Sequence, residues 1–153
     1  LSFILTLDEN ELGKIIPLLS AFEDKIAAAA PIFNLDGRRL EEIAKTLPQH
    51  QSSYDRTYNE IKGLEEWVNN IKDKRVSVLW RKYNENYSRA LSTKDIQMYI
   101  AGEKDIVELN QIIIEVSLLK NNLYSIVEAL KSMSWMVSHI TKIRVAELQE
   151  TVL

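Results

Sequence analysis

The stretch LNQIIIEVSLLKNNLYSIVEALKSMSWMVSHI, residues 109–140, decides how this chain folds. Leu109, Ile112, Val116, Leu119, Leu123, Ile126, Leu130, Met133, Val137 and Ile140 recur at steps of three and four. That rhythm fills the a and d positions of five heptads before Arg144 takes the next a site, and a pattern held this long specifies a helix packed on other helices. Ile113, Val127, Ala129, Met136 and Ile143 widen the stripe, as expected of a helix buried on two sides. Leucine is common at a and β-branched or long side chains at d, a combination that leans toward assemblies larger than a dimer. The expectation is a coiled-coil-like oligomerisation seam made of these ten residues. The competing reading is that the helix packs only on the chain's own N-terminal helices.

Working outward from that seam, the rest of the chain also reads as helical. Thr6 with Glu9 resembles a capping box for a helix beginning near Leu7, which Pro17 would kink or restart. Residues 33–37 read as a turn, with Asp36 as N-cap of a short helix that stops before Pro48. Residues 49–53 read as a polar loop, and Ser52 with Asp55 as the cap of a second long helix whose apolar stripe is Tyr54, Tyr58, Ile61, Leu64, Val68 and Ile71. Residues 88–93 read as a loop, and Ser92 with Asp95 as the cap of a short helix ended by Gly102. The fold class is therefore all-α, with N-terminal helices packed on a long C-terminal helix. The organisation expected is an N-terminal helical segment at 1–50, a middle helical region at 51–102 and the C-terminal helix at 103–153, forming one domain overall.

Composition narrows the function. At 153 residues with 46% hydrophobic and 27% charged residues, the chain is an ordinary globular length and balance. It has no cysteine, which removes disulfides, thiolate metal sites and thiol nucleophiles and fits a reducing, cytoplasmic setting. No window reaches the ~20 apolar residues of a membrane span, and the opening LSFILTLDENEL is unlike a signal peptide. Glycine-rich phosphate loops, GxSxG and HExxH are absent, and the two histidines, His50 and His139, stand alone. No catalytic residue, metal ligand or cofactor is expected, and the chain reads as a non-enzyme.

One segment departs from the acidic average. Residues 72–94, KDKRVSVLWRKYNENYSRALSTK, hold seven basic and two acidic side chains, a net +5 in a chain of net −3, so the remainder carries −8. Trp80, Tyr83 and Tyr87 are interleaved with the bases. Cations replace the counterions of a phosphate backbone and rings stack on unpaired bases, so the segment suits single-stranded nucleic acid. Lys72, Lys74, Arg75, Arg81, Lys82, Arg89 and Lys94 are the candidate phosphate contacts, and Tyr83 and Tyr87 the candidate stacking rings. The alternative is an amphipathic helix with its aromatics in a core. The face that is apolar up to Ile71 becomes basic at Arg75 and Lys82, which calls for either a break near residues 72–76 or a projecting arm.

The C-terminal third resembles the UvsY-type recombination mediator proteins of tailed bacteriophages. The resemblance rests on Lys104–Asp105 ahead of the terminal helix, then Glu128, Ala129, Lys131, Ser132, Trp135, His139, Ile140 and Arg144. It covers about 45 residues and extends more loosely back to Tyr54. The family's DNA-binding stretch closes with Tyr-Tyr-Ser, where this chain has Asn86-Tyr87-Ser88; Arg81 matches one basic position and Tyr83 stands at the second. The resemblance implies a non-enzymatic homo-oligomer, a six- or sevenfold ring, that binds single-stranded DNA. It further implies partners: a RecA-like phage recombinase, which the mediator helps to load, and the single-strand-binding protein that is displaced, both in the host cell cytoplasm. The other functional reading is an oligomeric helical scaffolding or assembly protein whose basic stretch docks on an acidic protein partner.

Overall fold

The computed structural model describes residues 13–87 and 89–150. The capping box expected at Thr6 and Glu9 lies outside the described residues. Among the described residues five helices follow one another: α1 (Ile15–Ala27), α2 (Ala30–Phe33), α3 (Leu40–Glu85), α4 (Thr93–Gly102) and α5 (Lys104–Glu150). The described residues contain no strand, so the chain is all-α. Among them, no helix is long and apolar enough to cross a membrane.

α3 and α5 form an antiparallel pair that carries most of the core. Antiparallel pairing follows from which turns meet. Arg75 near the end of α3 pairs with Asp105 at the start of α5, Glu65 meets Lys120, and Ala44 and Leu47 face Val137 and Thr141. From α3 the pair buries Ile43, Leu47, Tyr54, Ile61, Leu64, Val68 and Ile71. From α5 it buries Ile106, Leu109, Val116, Leu123, Val127, Leu130, Met133 and Val137. Each such side chain withdrawn from water contributes about 1.5–3 kcal/mol, which is why the long apolar stripes dominate the fold. α1 packs on α5, and α4 packs on both long helices at their other end. The Glu65–Lys120 ion pair, 2.8 Å long and about four-fifths buried, fixes which turn of α3 faces which turn of α5.

The seam read from the sequence is thus largely interior to one chain. Leu109, Val116, Leu123, Leu130, Met133 and Val137 are buried, and Ile112, Leu119, Ile126 and Ile140 are half-buried at the edges of the same stripe. The reading in which α5 packs on the chain's own helices accounts for the buried six. The stripe is satisfied within the chain because α3 supplies an equally long apolar face at matching pitch.

Three local expectations are corrected. α3 does not stop before Pro48; it runs through Pro48 and through the expected loop at 49–53, so Ser52 and Asp55 lie inside the helix rather than at its start. An interior proline costs about 3 kcal/mol or more, but Ile43, Leu47 and Tyr54 on either side of it are almost wholly buried, and their burial outweighs that cost. The expected loop is also tied to α1. The Tyr54 hydroxyl donates to the carbonyl of Lys25 at 2.9 Å, and the Lys25 ammonium donates to Ser53 Oγ at 2.6 Å. Burial of the Tyr54 ring raises the pKa of its phenol.

Asp36 does not cap the helix that follows. The N-cap position is Arg39, without a side-chain cap, and the Asp36 backbone N–H is taken by Asn34 Oδ1 at 3.1 Å inside the turn. Gly37 in that turn has φ +70°, a left-handed conformation that glycine adopts without steric cost. Finally, α3 neither breaks at residues 72–76 nor leaves the body as an arm. It continues to Glu85 with Val76, Leu79, Trp80 and Tyr83 half-buried against the core.

Pro17 lies in the first turn of α1, and the helix expected to reach it from near Leu7 lies outside the described residues. Other expectations hold in place. Ser92 caps α4 by accepting from the Asp95 N–H at 3.1 Å while donating to Asp95 Oδ2 at 2.7 Å, and α4 ends at Gly102.

Candidate nucleic-acid interface

Beyond Ile71 no residue of α3 is fully buried, so its last turns form a surface rather than core. Lys74, Arg75, Arg81 and Lys82 are exposed there and Lys72 is half-buried; Arg89 follows in the connecting loop and Lys94 on α4, both exposed. Arg81, Arg89 and Lys94 have no carboxylate partner among the described residues. Arg75 and Lys82 do have partners. Arg75 lies 3.9 Å from Asp105, and Lys82 Nζ lies 3.5 Å from Glu103 Oε1. Both carboxylates come from the α4–α5 junction, which the tertiary fold brings against the end of α3. These pairs are more than half exposed on the basic side, where an ion pair adds little stability and is readily exchanged.

The aromatics divide. Trp80 is half-buried and packs toward the core, as the amphipathic-helix reading expected. Tyr83 is half-buried against the same core and also joins the exposed Tyr87 in a small cluster with Tyr99, a residue of α4 that the spacing of the basic stretch does not single out. The Tyr83 and Tyr99 rings stack with centroids 5.5 Å apart and planes 19° apart; Tyr87 and Tyr99 are 6.4 Å and 13° apart, and Tyr83 and Tyr87 5.7 Å and 32° apart. Lys82 Nζ stands 5.4 Å from the Tyr83 ring centroid. Local sequence could not reveal Tyr99 as a member, because it reaches the cluster through the α3–α4 turn.

Tyr83 is held by its hydroxyl, which donates to Glu103 Oε1 at 2.5 Å. That hydrogen bond to a carboxylate, aided by burial and the negative charge of Glu103, pushes the Tyr83 phenol up to about 12. The same bond, with the Lys82 charge, lowers the Glu103 carboxyl against the raising effect of burial. A raised phenol pKa means the fold prefers the protonated ring. Its contribution is complete below the ordinary value of 10.0 and is lost as pH rises from there toward about 12. In an alkaline absorbance titration of tyrosinate, Tyr83 should therefore ionise late, alongside buried Tyr54. Tyr83→Phe should remove one late step; an unchanged late phase would show that the Glu103 bond does not form in solution.

Two further features lie away from this surface. A cleft of about 600 Å³ at the opposite end of the α3–α5 pair is bordered by Arg38, Arg39 and Arg144. Along α5, outside the buried stripe, Val107, Ile114 and Leu118 and, well over two heptads further on, Met136 and Ile143 remain exposed, a second, interrupted apolar row on one side of the helix. Trp135 is also exposed and stacks on His139 with centroids 5.1 Å apart.

The architecture defined by these helices is a long antiparallel α-hairpin braced by short helices at its two ends, with a cationic, tyrosine-bearing tip. The same fold is found in the crystal structure of the bacteriophage T4 recombination mediator protein UvsY, with a TM-score of 0.67 at 16% sequence identity, over 84% of this chain and 98% of that one. At this identity the likeness is one of fold, and it agrees with the family resemblance carried by the C-terminal third. No protein-family model matches the sequence, and no curated protein matches it.

Proposed function

We propose that this protein is a recombination mediator that binds single-stranded DNA as a homo-oligomer and helps a RecA-like recombinase replace single-strand-binding protein on that strand. The observation that carries the reading is the pairing of an exposed cationic helix end with a tyrosine cluster, on a fold shared with a phage recombination mediator. Lys72, Lys74, Arg75, Arg81, Lys82, Arg89 and Lys94 contact phosphates, and Tyr83 and Tyr87 line the path of the bases. The protein is not an enzyme, and it works in the host cytoplasm.

Self-association, as a ring of six or seven copies, places the second apolar row of α5 and the half-buried edge residues Ile112, Leu119, Ile126 and Ile140 between neighbours. The six buried seam positions stabilise each protomer's hairpin. Segments 1–50, 51–102 and 103–153 then serve as brace, DNA-contacting region and assembly helix of one domain. Repeating a +5 stretch around a ring multiplies weak single sites, because tethered sites act at high effective concentration.

The scaffold reading draws on one observation, that Arg75 and Lys82 already dock on carboxylates. Fluorescence anisotropy of a labelled single-stranded oligonucleotide, titrated at several salt concentrations with duplex as competitor, separates the two. Tight, salt-sensitive binding with preference for single strands is the expected result. No binding at low salt, from a sample shown to be folded and oligomeric, would leave the scaffold reading in its place.

A further inference from the structure

Tyr99 has no part in the folding of α4 that explains its position. α4 is anchored by Ile96 and Ile100, both buried, and by its Ser92–Asp95 cap, while Tyr99 between them is 49% exposed. Tyr87 is 50% exposed. An exposed tyrosine on a short helix usually faces water alone, yet this ring is stacked on Tyr83 and lies nearly parallel to Tyr87 from a different element. Tyr83 is immobilised by Glu103, so the stack has a fixed base on which two half-open rings rest. Rings ordered before binding lose little side-chain entropy on engaging a ligand, and the Lys82 ammonium at the rim favours a ligand that is both flat and anionic.

We propose that the strand-binding surface crosses from α3 onto α4, with Tyr99 and Tyr87 extending the stack to an unpaired nucleobase and Tyr83 acting as the positioning residue beneath them. Duplex DNA cannot enter such a site without unstacking, because its base faces are covered by neighbouring pairs. The tyrosine step therefore supplies single-strand preference, while the lysines and arginines supply affinity without regard to strandedness. This inference rests on the single-strand reading above and adds a residue and a role to it.

The test is a cycle between protein and oligonucleotide, using the full oligomeric protein. Tyr99→Leu keeps apolar bulk without a π-face, and Tyr99→Phe keeps the ring. Anisotropy is measured with an ordinary single strand and with the same strand carrying abasic positions. The expected result is that Tyr99→Leu weakens binding to the ordinary strand about 10-fold, Tyr99→Phe retains it, and the difference between variants vanishes on the abasic strand. The salt slope should be the same for all three proteins. Oligonucleotides containing 5-iododeoxyuridine, cross-linked to the wild-type protein and mapped by mass spectrometry, should mark Tyr99 or Tyr87 and so keep the idea testable should a variant misfold. Wild-type binding with no loss in Tyr99→Leu, or an equal loss on ordinary and abasic strands, overturns the role of Tyr99 and leaves the single-strand reading standing. Absence of wild-type binding removes both.

Discussion

On the proposed function, replacing Arg81 and Lys82 together by alanine is expected to weaken single-strand binding by roughly 10- to 100-fold at physiological salt and to flatten its salt dependence, while the mass in solution stays unchanged. Each phosphate contact on a single strand contributes about 0.7 to the slope of log affinity against log salt, so two lost contacts remove about 1.4 for every protomer engaged. Both side chains are exposed, and among the described residues only Lys82 of the two has a carboxylate partner, Glu103 at 3.5 Å. Exposed pairs of this kind contribute up to about 1 kcal/mol, too little to unfold the hairpin. The measurement is anisotropy over a salt series, with light scattering for mass. Retained affinity and slope would take Arg81 and Lys82 out of the phosphate path. A fall in mass together with affinity would make the pair structural.

The second large effect separates the two apolar rows of α5. Leu123 is fully buried in the α3–α5 core, and Leu118, five residues earlier, is 60% exposed. Leu123→Ala should cost about 2–5 kcal/mol through lost burial and the cavity left behind. The folded state of a chain this long lies only about 5–15 kcal/mol below its unfolded state, so its melting temperature should fall by roughly 5–15 °C. Leu118→Glu removes no buried contact and should leave the protomer's helix content intact, yet it sets a charge in the outer row and should dissociate the proposed assembly. Circular dichroism melts and multi-angle light scattering read the two outcomes. If Leu123→Ala changed the mass and left the helix content and melting of the protomer as they were, the inner row would be the interface after all. If Leu118→Glu left the mass unchanged, the outer row would have no role in assembly.

These two variants also mark the boundary between what was legible in the residue order and what was not. The inner row was plain in the chain itself, since steps of three and four over residues 109–140 specify a helix and its apolar face whatever lies opposite. Its partner was not. A heptad stripe is equally satisfied by another chain or by α3, and the choice depends on α3 presenting an apolar face of matching length, interrupted in the sequence by Pro48. That proline, followed by a polar stretch, argued locally for a loop. The helix persists because Ile43, Leu47 and Tyr54 are held in place by contacts distant in sequence, among them the Tyr54 hydrogen bond to Lys25.

At the tip of the hairpin the same division holds. The basic and aromatic content of residues 72–94 is a matter of composition, and the Ser92–Asp95 cap is encoded within four residues, so both stood in the sequence alone. The gathering of Tyr83, Tyr87 and Tyr99 into one stack, the turning of Trp80 toward the core, and the seating of Glu103 and Asp105 on Lys82 and Arg75 were decided only by tertiary structure. Helix type, cap and charge depend on neighbours within one turn, and residue order records them directly. Which faces meet depends on the summed burial of two helices more than 40 residues long, a quantity that no short stretch of the chain contains.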